Sequence, residues 1–340
     1  MAMHVLTGVI KFIVAFAVLG IYALVMLWFE RKALGFFQIR IGPKLVSSGL
    51  EGLLQPVADM LKSLWKEDIV PHRADKLVFW VAPVIGGMFP FAAALAMPFG
   101  PPIKIGGSYF YLSIVHVNVG ILYILAALGL TSYSILSAGI AAGGNKYSLI
   151  GAQREVAQMV SYEVVMALAL LNPILMARSL DLYEIVAAQS HHLWFVFYQP
   201  VAFVVFLICM FATAAIVPFD LPEAEQELVA GYNTEYSAMK MAMFPFGQFI
   251  TVLVMSSLMV IFFLGGWTGP YWDGHPWILG FIWYWVKVLF FVFLFIWSWG
   301  TFPRYRYDQL MNMCWKILLP ISVLNVLWTG FALIVHLPMI

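Results

Sequence analysis

The sequence predicts an all-α integral membrane protein of about eight transmembrane helices. An interfacial amphipathic helix lies in the first cytoplasmic loop, and a short acidic helical loop lies between helices five and six. Three observations carry this reading. Of 340 residues, 63% are hydrophobic and only 10% are charged, whereas a soluble domain averages about 25% charged residues. Eight separate apolar stretches are long enough to cross lipid. Lysine and arginine alternate sharply between one set of loops and the other.

A spanning helix needs about 20 mostly apolar residues, and eight stretches qualify: 8–29, 77–97, 112–137, 156–177, 194–217, 241–264, 277–300 and 315–337. Pro83, Pro90 and the Asn172-Pro173 pair fall inside some of them, which membrane helices tolerate when neighbours satisfy the freed carbonyls. The first, third, fifth and seventh loops hold about 13 Lys and Arg, against two in the even loops, Lys104 and Arg178. The excess puts the odd loops on the cytoplasmic (or matrix) side and both termini on the opposite face, as expected of a multi-pass protein of the cell inner (cytoplasmic) membrane. The chain 1–340 reads as a single polytopic domain. The first apolar segment lacks a basic leader and a small-residue cleavage site, so it reads as a retained helix.

Composition also excludes chemistry. A net charge of +1 does not suit a nucleic-acid surface. Two cysteines, Cys209 and Cys314, cannot supply the four thiolates of an iron–sulfur cluster. The seven histidines show no i, i+3 or i, i+4 pairing, and His191 and His192 are adjacent, so no metal site is expected. No glycine-rich phosphate loop follows a strand pattern. The chain is expected to bind no redox cofactor of its own.

Two loops are more than connectors. In residues 30–76, Leu50, Leu53, Leu54, Val57, Leu61, Leu64 and Trp65 recur at helical spacing, with Glu51, Gln55, Asp59, Lys62 and Lys66 opposite. That pattern describes an amphipathic helix in the membrane interface or one packed on a soluble partner. Residues 218–240 carry Asp220, Glu223, Glu225, Glu227 and Glu235 against a single base, Lys240. If the chain is helical after Pro222, Glu223 and Glu227 share a face and repel. The alternative is a solvated acidic loop.

Glu163 lies inside the fourth apolar stretch, with Arg154, Glu155, Gln158, Ser161 and Tyr162 toward its cytoplasmic end. A charge at mid-membrane costs about 2.5–3.5 kcal/mol on insertion scales, so such a residue marks a proton or ion path by default. A buried structural hydrogen bond is the alternative. Clustered carboxylates in poorly solvated surroundings titrate as a coupled set and can exchange a proton when a nearby charge changes.

The same residues carry a resemblance. Glu30-Arg31-Lys32-Ala33-Leu34-Gly35, Gln38-x-Arg40-x-Gly42-Pro43, Gly52-Leu53-Leu54-Gln55-Pro56-x-Ala58-Asp59 and Lys66-Glu67 resemble the first cytoplasmic loop of the H subunit of complex I-type NADH:quinone oxidoreductases. Asn145-Lys146-Tyr147-Ser148 with Arg154-x-x-Ala157-Gln158-x-x-Ser161-Tyr162-Glu163 is similar to its third loop and fourth helix. Pro218-Phe219-Asp220-Leu221-x-Glu223-x-Glu225-x-Glu227 and Gly231-x-Asn233-x-Glu235-Tyr236 are similar to its acidic fifth loop. Phe263-Leu264-Gly265-Gly266-Trp267 and Pro303-Arg304-x-Arg306-Tyr307-Asp308 follow in the same order.

The resemblance implies a membrane subunit of a proton-translocating complex. Quinone would be the substrate, FMN and iron–sulfur clusters would sit on partner subunits, and other membrane-arm and peripheral-arm subunits would be neighbours. It implies that Arg31, Gln38, Arg40 and Asp59 border the quinone channel. Glu163, Asp220, Glu223, Glu225, Glu227 and Glu235 would form the proton and coupling path. Arg154, Arg304, Arg306 and Asp308 would meet the peripheral arm. The chain departs from the pattern at Thr213 and Gln248, where glutamates are common, and at Ile216 and Trp299, where arginines are common. Lys44 stands where asparagine is usual, and about two extra residues follow it. These departures keep open a related subunit of a deazaflavin-dependent dehydrogenase or an energy-converting hydrogenase. A stand-alone transporter would show an internal repeat, and none is found.

Overall fold

The structure is a computed structural model that describes every residue except 1, 47, 48, 50, 106, 107, 191, 192, 270–275 and 336–340. For 2–9, 104, 105, 108–110, 225, 226 and 276 it describes the backbone alone. Among the described residues, seven helices are long and apolar enough to cross a membrane, and the class is an all-α integral membrane protein.

α1 (Ala2–Phe37) leads into loop one and α2 (Gln55–Trp65). α2 is the expected amphipathic helix, shorter at its start, with Pro56 in its first turn. Leu61, Leu64 and Trp65 face outward and exposed, while Asp59 turns inward to Arg31 of α1. Leu50 of the expected stripe lies outside the described residues.

α3 (Lys76–Leu95) starts where the Asp75 carboxylate accepts from Leu77 N at 3.2 Å and Val78 N at 3.4 Å, an N-cap. It runs through Pro83 and Pro90. The third spanning helix, α4 (Gly120–Ala141), begins eight residues later than its apolar stretch suggested. A small antiparallel hairpin precedes it, β1 (Ile103–Ile105) against β2 (Ser108–Phe110), with Ile105 opposite Ser108. α5 (Lys146–Ala177) begins ten residues early, because Asn145 Oδ1 caps Tyr147 N at 3.0 Å.

The largest correction concerns the fifth stretch. Residues 194–217 do not form one spanning helix. After α6 (Leu182–Ser190) come a single turn, α7 (Phe195–Tyr198), and α8 (Pro200–Thr213), only 14 residues long. Pro200 has no N–H to donate and disfavours helical backbone in Gln199, whose φ/ψ of −130/56 breaks the run.

α9 (Glu225–Leu228) and a 3-10 turn over Gly231–Glu235 lie in loop five. Next comes α10 (Ala238–Phe263), the most enclosed spanning helix, with 89% of its apolar window buried. A Cβ on Gly247 would stand 2.1 Å from the Gly86 carbonyl oxygen, so only glycine permits this crossing of α10 and α3. Beyond α10, Lys287 of α11 (Pro276–Thr301) donates to the carbonyls of Leu264 at 2.7 Å, Gly266 at 3.1 Å and Thr268 at 2.7 Å. A cation at a helix C-terminus satisfies carbonyls the helix cannot. The last span is α12 (Tyr307–Met313), a π turn over Cys314–Leu318 and α13 (Leu319–Ile334).

Loop one is tied to the start of α10. The Lys240 ammonium, nearly enclosed, forms an ion pair with Asp68 at 2.8 Å. It also lies over the rings of Trp80 at 3.6 Å and Phe79 at 4.6 Å. Ile69 N donates to Ser237 Oγ beside it at 3.1 Å.

Candidate functional site

After Thr213 the backbone leaves helical geometry and stays inside the protein, with Ile216, Phe219 and Leu221 all buried. Irregular buried backbone must find partners for its polar groups. Here side chains of the surrounding helices and one backbone N–H supply them. Gln158 Nε2 donates to the carbonyls of Ala212 at 2.7 Å and Phe219 at 2.9 Å. Gln248 Nε2 donates to those of Ala214 and Ala215, each at 3.1 Å. Ser298 Oγ donates to Val217 O at 3.2 Å, and Tyr305 N to Pro218 O at 3.1 Å. Where the loop turns back, Gly231 has φ +50, and a Cβ there would fall 1.7 Å from Pro222 O. Loop five is therefore packed into the bundle.

This corrects the expected pairing of Glu223 and Glu227. The helix there covers only Glu225–Leu228, and the positive φ of Ala224 and Val229 stops it on both sides. The two carboxylates do not share a helix face. Glu223 Oε1 accepts from Tyr232 Oη at 3.0 Å and Asn233 Nδ2 at 2.6 Å, whereas Glu227 reaches out to Arg154. Asp220, buried, pairs with Arg304 at 2.7 Å. Glu235 accepts from Asn145 Nδ2 at 2.8 Å. The side chain of Glu225 lies outside those described.

The remaining candidate residues fall into two further groups. Arg31 meets Asp59 between α1 and α2, and Gln55 Nε2 also donates to Asp59 at 3.0 Å. Arg40 Nε donates to Gln38 Oε1 at 2.6 Å on an exposed turn. Arg306 and Asp308 pair with each other on the surface, while Arg154 and Arg304 turn to the acids of loop five.

Beneath loop five, α3, α4, α5, α8 and α10 enclose a cavity. Its volume is about 50 Å³, against roughly 10–15 Å³ needed for one water. Glu155, Glu223, Tyr232, Thr213 and Gln248 lie on its wall, with the hydroxyls of Thr131, Ser132, Ser134 and Thr251. Glu155 stands within electrostatic range of Asp220, Glu223 and Glu163. The Glu163 carboxylate is half-buried toward α4, where a Cβ on Gly129 would come 3.0 Å from its Oε1. Burial, reinforced by the neighbouring Glu223 charge, pushes the Tyr232 phenol well above its ordinary range, so it remains a donor.

Sequence reasoning singled out Glu163 and the loop-five acids, named Glu155 only as a polar neighbour and Asn233 only within a motif, and passed over Tyr232. Glu155 shares an i, i+3, i+7 stripe with Gln158 and Tyr162, all buried. That periodicity was the available signal. Tyr232 and Asn233 sit in a single 3-10 turn, too short for any pattern.

A cluster of buried carboxylates, a water-sized cavity and no group of three or more metal-ligating side chains among the described residues describe a multi-pass membrane protein with an acidic interior site. Its relatives define it further. The family model described as NADH dehydrogenase matches residues 10–330. The chain belongs to that family and is a membrane subunit of the complex I type. It is 42% identical over 335 residues to the first of the NADH-quinone oxidoreductase H subunits of Geobacter metallireducens, covering 98% of this chain and 99% of the relative. Identity to the second such H subunit of Rhizobium etli is 43% over 335 residues, 98% and 96% of the two chains. Identity to the corresponding H subunit of Thermomicrobium roseum is 42% over 335 residues, 96% and 95%.

Proposed function

We propose that this chain forms the quinone access channel and the start of the proton path in a proton-translocating NADH:quinone oxidoreductase. It would sit in the cytoplasmic membrane against other membrane-arm and peripheral-arm subunits, which carry the FMN and iron–sulfur clusters. Both termini would lie on the non-cytoplasmic side. The observation that carries the reading is the grouping of Glu163, Asp220 and Glu223 around one cavity-bearing junction of helices and a buried loop. Arg31 and Asp59, bridging α1 and α2, fit the wall of a route from lipid to that junction. Their ion pair holds the end of the first span against the interfacial helix, whose exposed Leu61, Leu64 and Trp65 suit lipid.

The mechanism is electrostatic. Reduction of quinone near loop five changes local charge, and coupled carboxylates answer by taking up or releasing protons. A shifted protonation pattern then favours one helix arrangement over another. Glu163→Gln keeps the shape of the side chain but removes its exchangeable acid proton. In the purified complex reconstituted in vesicles, this variant is expected to assemble and to lose proton translocation coupled to quinone reduction. Normal translocation would refute the path.

A further inference from the structure

We infer that Glu155 is the proton-exchanging carboxylate of the cavity beneath loop five, an assignment that deepens the proposed proton path and rests on it. Glu155 is 2% exposed, its Oε2 has no hydrogen-bond partner, and it lies on the cavity wall. A buried oxygen without a partner beside room for several waters is a place for a water in one protonation state and for a proton in the other.

The loop-five carboxylates leave it that role, and Glu163, whose Oε1 also lacks a hydrogen-bond partner, is not on the cavity wall. Asp220, Glu227 and Glu235 are engaged by Arg304, Arg154 and Asn145, and Glu223 by Tyr232 and Asn233. Thr213 and Gln248, the positions where this chain departs from the resemblance, line the same cavity. Their donors are spent on backbone: Thr213 Oγ1 on Cys209 O at 3.0 Å, and Gln248 Nε2 on the carbonyls of Ala214 and Ala215. Neither group exchanges a proton near neutral pH.

Arg154, next in the chain, points to Glu227. The groups acting on Glu155 are Asp220, Glu223 and Glu163, all acids, with the Tyr232 hydroxyl also in range. Any change of charge among them alters the cost of ionising Glu155. The proton comes from cavity water and returns to it; only O–H bonds form and break, and no electron moves.

The test uses the whole complex in vesicles holding a pH-sensitive dye, read as protons moved per quinone reduced. Glu155→Gln is expected to lower that ratio severalfold, because the amide cannot exchange a proton near neutral pH. Adding Gln248→Glu, which returns an acid to the same cavity and when protonated still donates to one of the two carbonyls that Gln248 holds, is expected to restore most of it. A merely structural Glu155 would not be rescued from another helix, so a loss without rescue overturns the assignment. A normal ratio in Glu155→Gln beside a lost one in Glu163→Gln overturns it too, while leaving the path standing. Normal ratios in both remove the path itself. Should Glu155→Gln fail to assemble, Glu155→Asp decides: retained coupling supports the assignment and lost coupling overturns it.

Discussion

The Lys240–Asp68 pair offers a sharp quantitative check, because its two members are unequally enclosed. The side chain of Lys240 is 7% exposed and that of Asp68 28%. Breaking a buried ion pair by removing one partner costs about 3–5 kcal/mol, since a charge is stranded. In Asp68→Asn the stranded ammonium keeps only the faces of Trp80 and Phe79, which offset about 1–2 kcal/mol. The net loss is about 2–3 kcal/mol. In Lys240→Met the apolar stem still packs on those rings, and the better-exposed Asp68 turns to water. That loss is about 1–2 kcal/mol, between the costs for an exposed and a buried pair.

Limited trypsin cleavage of loop one at Lys66 or Arg73 measures how often the loop opens, provided that opening is fast relative to cleavage. Cleavage of the purified complex should accelerate about 30–150-fold in Asp68→Asn and about 5–30-fold in Lys240→Met, at tenfold per 1.4 kcal/mol. The double variant should open much less than the sum of the singles demands, because neither charge is then stranded. Cleavage of Lys240→Met as fast as that of Asp68→Asn, or a strictly additive double variant, would refute the reasoning.

Three other outcomes follow from single contacts. Lys287→Met strands the carbonyls of Leu264, Gly266 and Thr268 and should cost about 2–4 kcal/mol, read as a lower denaturation midpoint of the complex. Gly247→Ala puts a methyl 2.1 Å from Gly86 O and should block close approach of α10 to α3, so that this subunit no longer copurifies with its partners; normal yield would contradict the crossing. Tyr232→Phe removes the hydroxyl donor to Glu223 and leaves the Asn233 amide donor in place. It should cost about 1 kcal/mol and lower coupled proton transfer less than Glu163→Gln does, measured with the same vesicle assay.

The parts of the fold that hydropathy governs were readable from the chain. Residues 8–29, 77–97 and 277–300 fall within α1, α11 and, to two residues, α3, because lipid demands apolar runs of fixed length and little else. The interfacial helix showed itself by alternation of Val57, Leu61 and Leu64 with Asp59 and Lys62. Boundaries failed where tertiary structure replaced periodicity. Gln199-Pro200 split the fifth stretch, and Asn145 began α5 ten residues early.

The interior site was half legible. Glu163 is conspicuous because it interrupts an apolar run, but Glu155 stands beside Arg154 in a polar stretch and reads like a helix end. Its burial comes from loop five folding over it, anchored by Gln158, Gln248 and Ser298 from three different helices. No local pattern encodes contacts between residues 34, 54 or 81 apart.

The brevity of α8 has an electrical consequence. Fourteen residues of helix reach about 21 Å, against roughly 30 Å of hydrocarbon. Part of the remaining thickness is taken up by the apolar turn α7 and part, at the loop-five end, by protein whose interior holds polar groups and space for water, a poorer insulator than lipid tails. Transmembrane voltage therefore falls mainly across the shortened apolar part. A charge displaced there feels a steeper gradient over each ångström, within the total of about 2.3 kcal/mol per elementary charge per 100 mV. Loop five, seated at the mouth of that thinned barrier, thus puts its acids where small displacements of charge do work against the membrane potential.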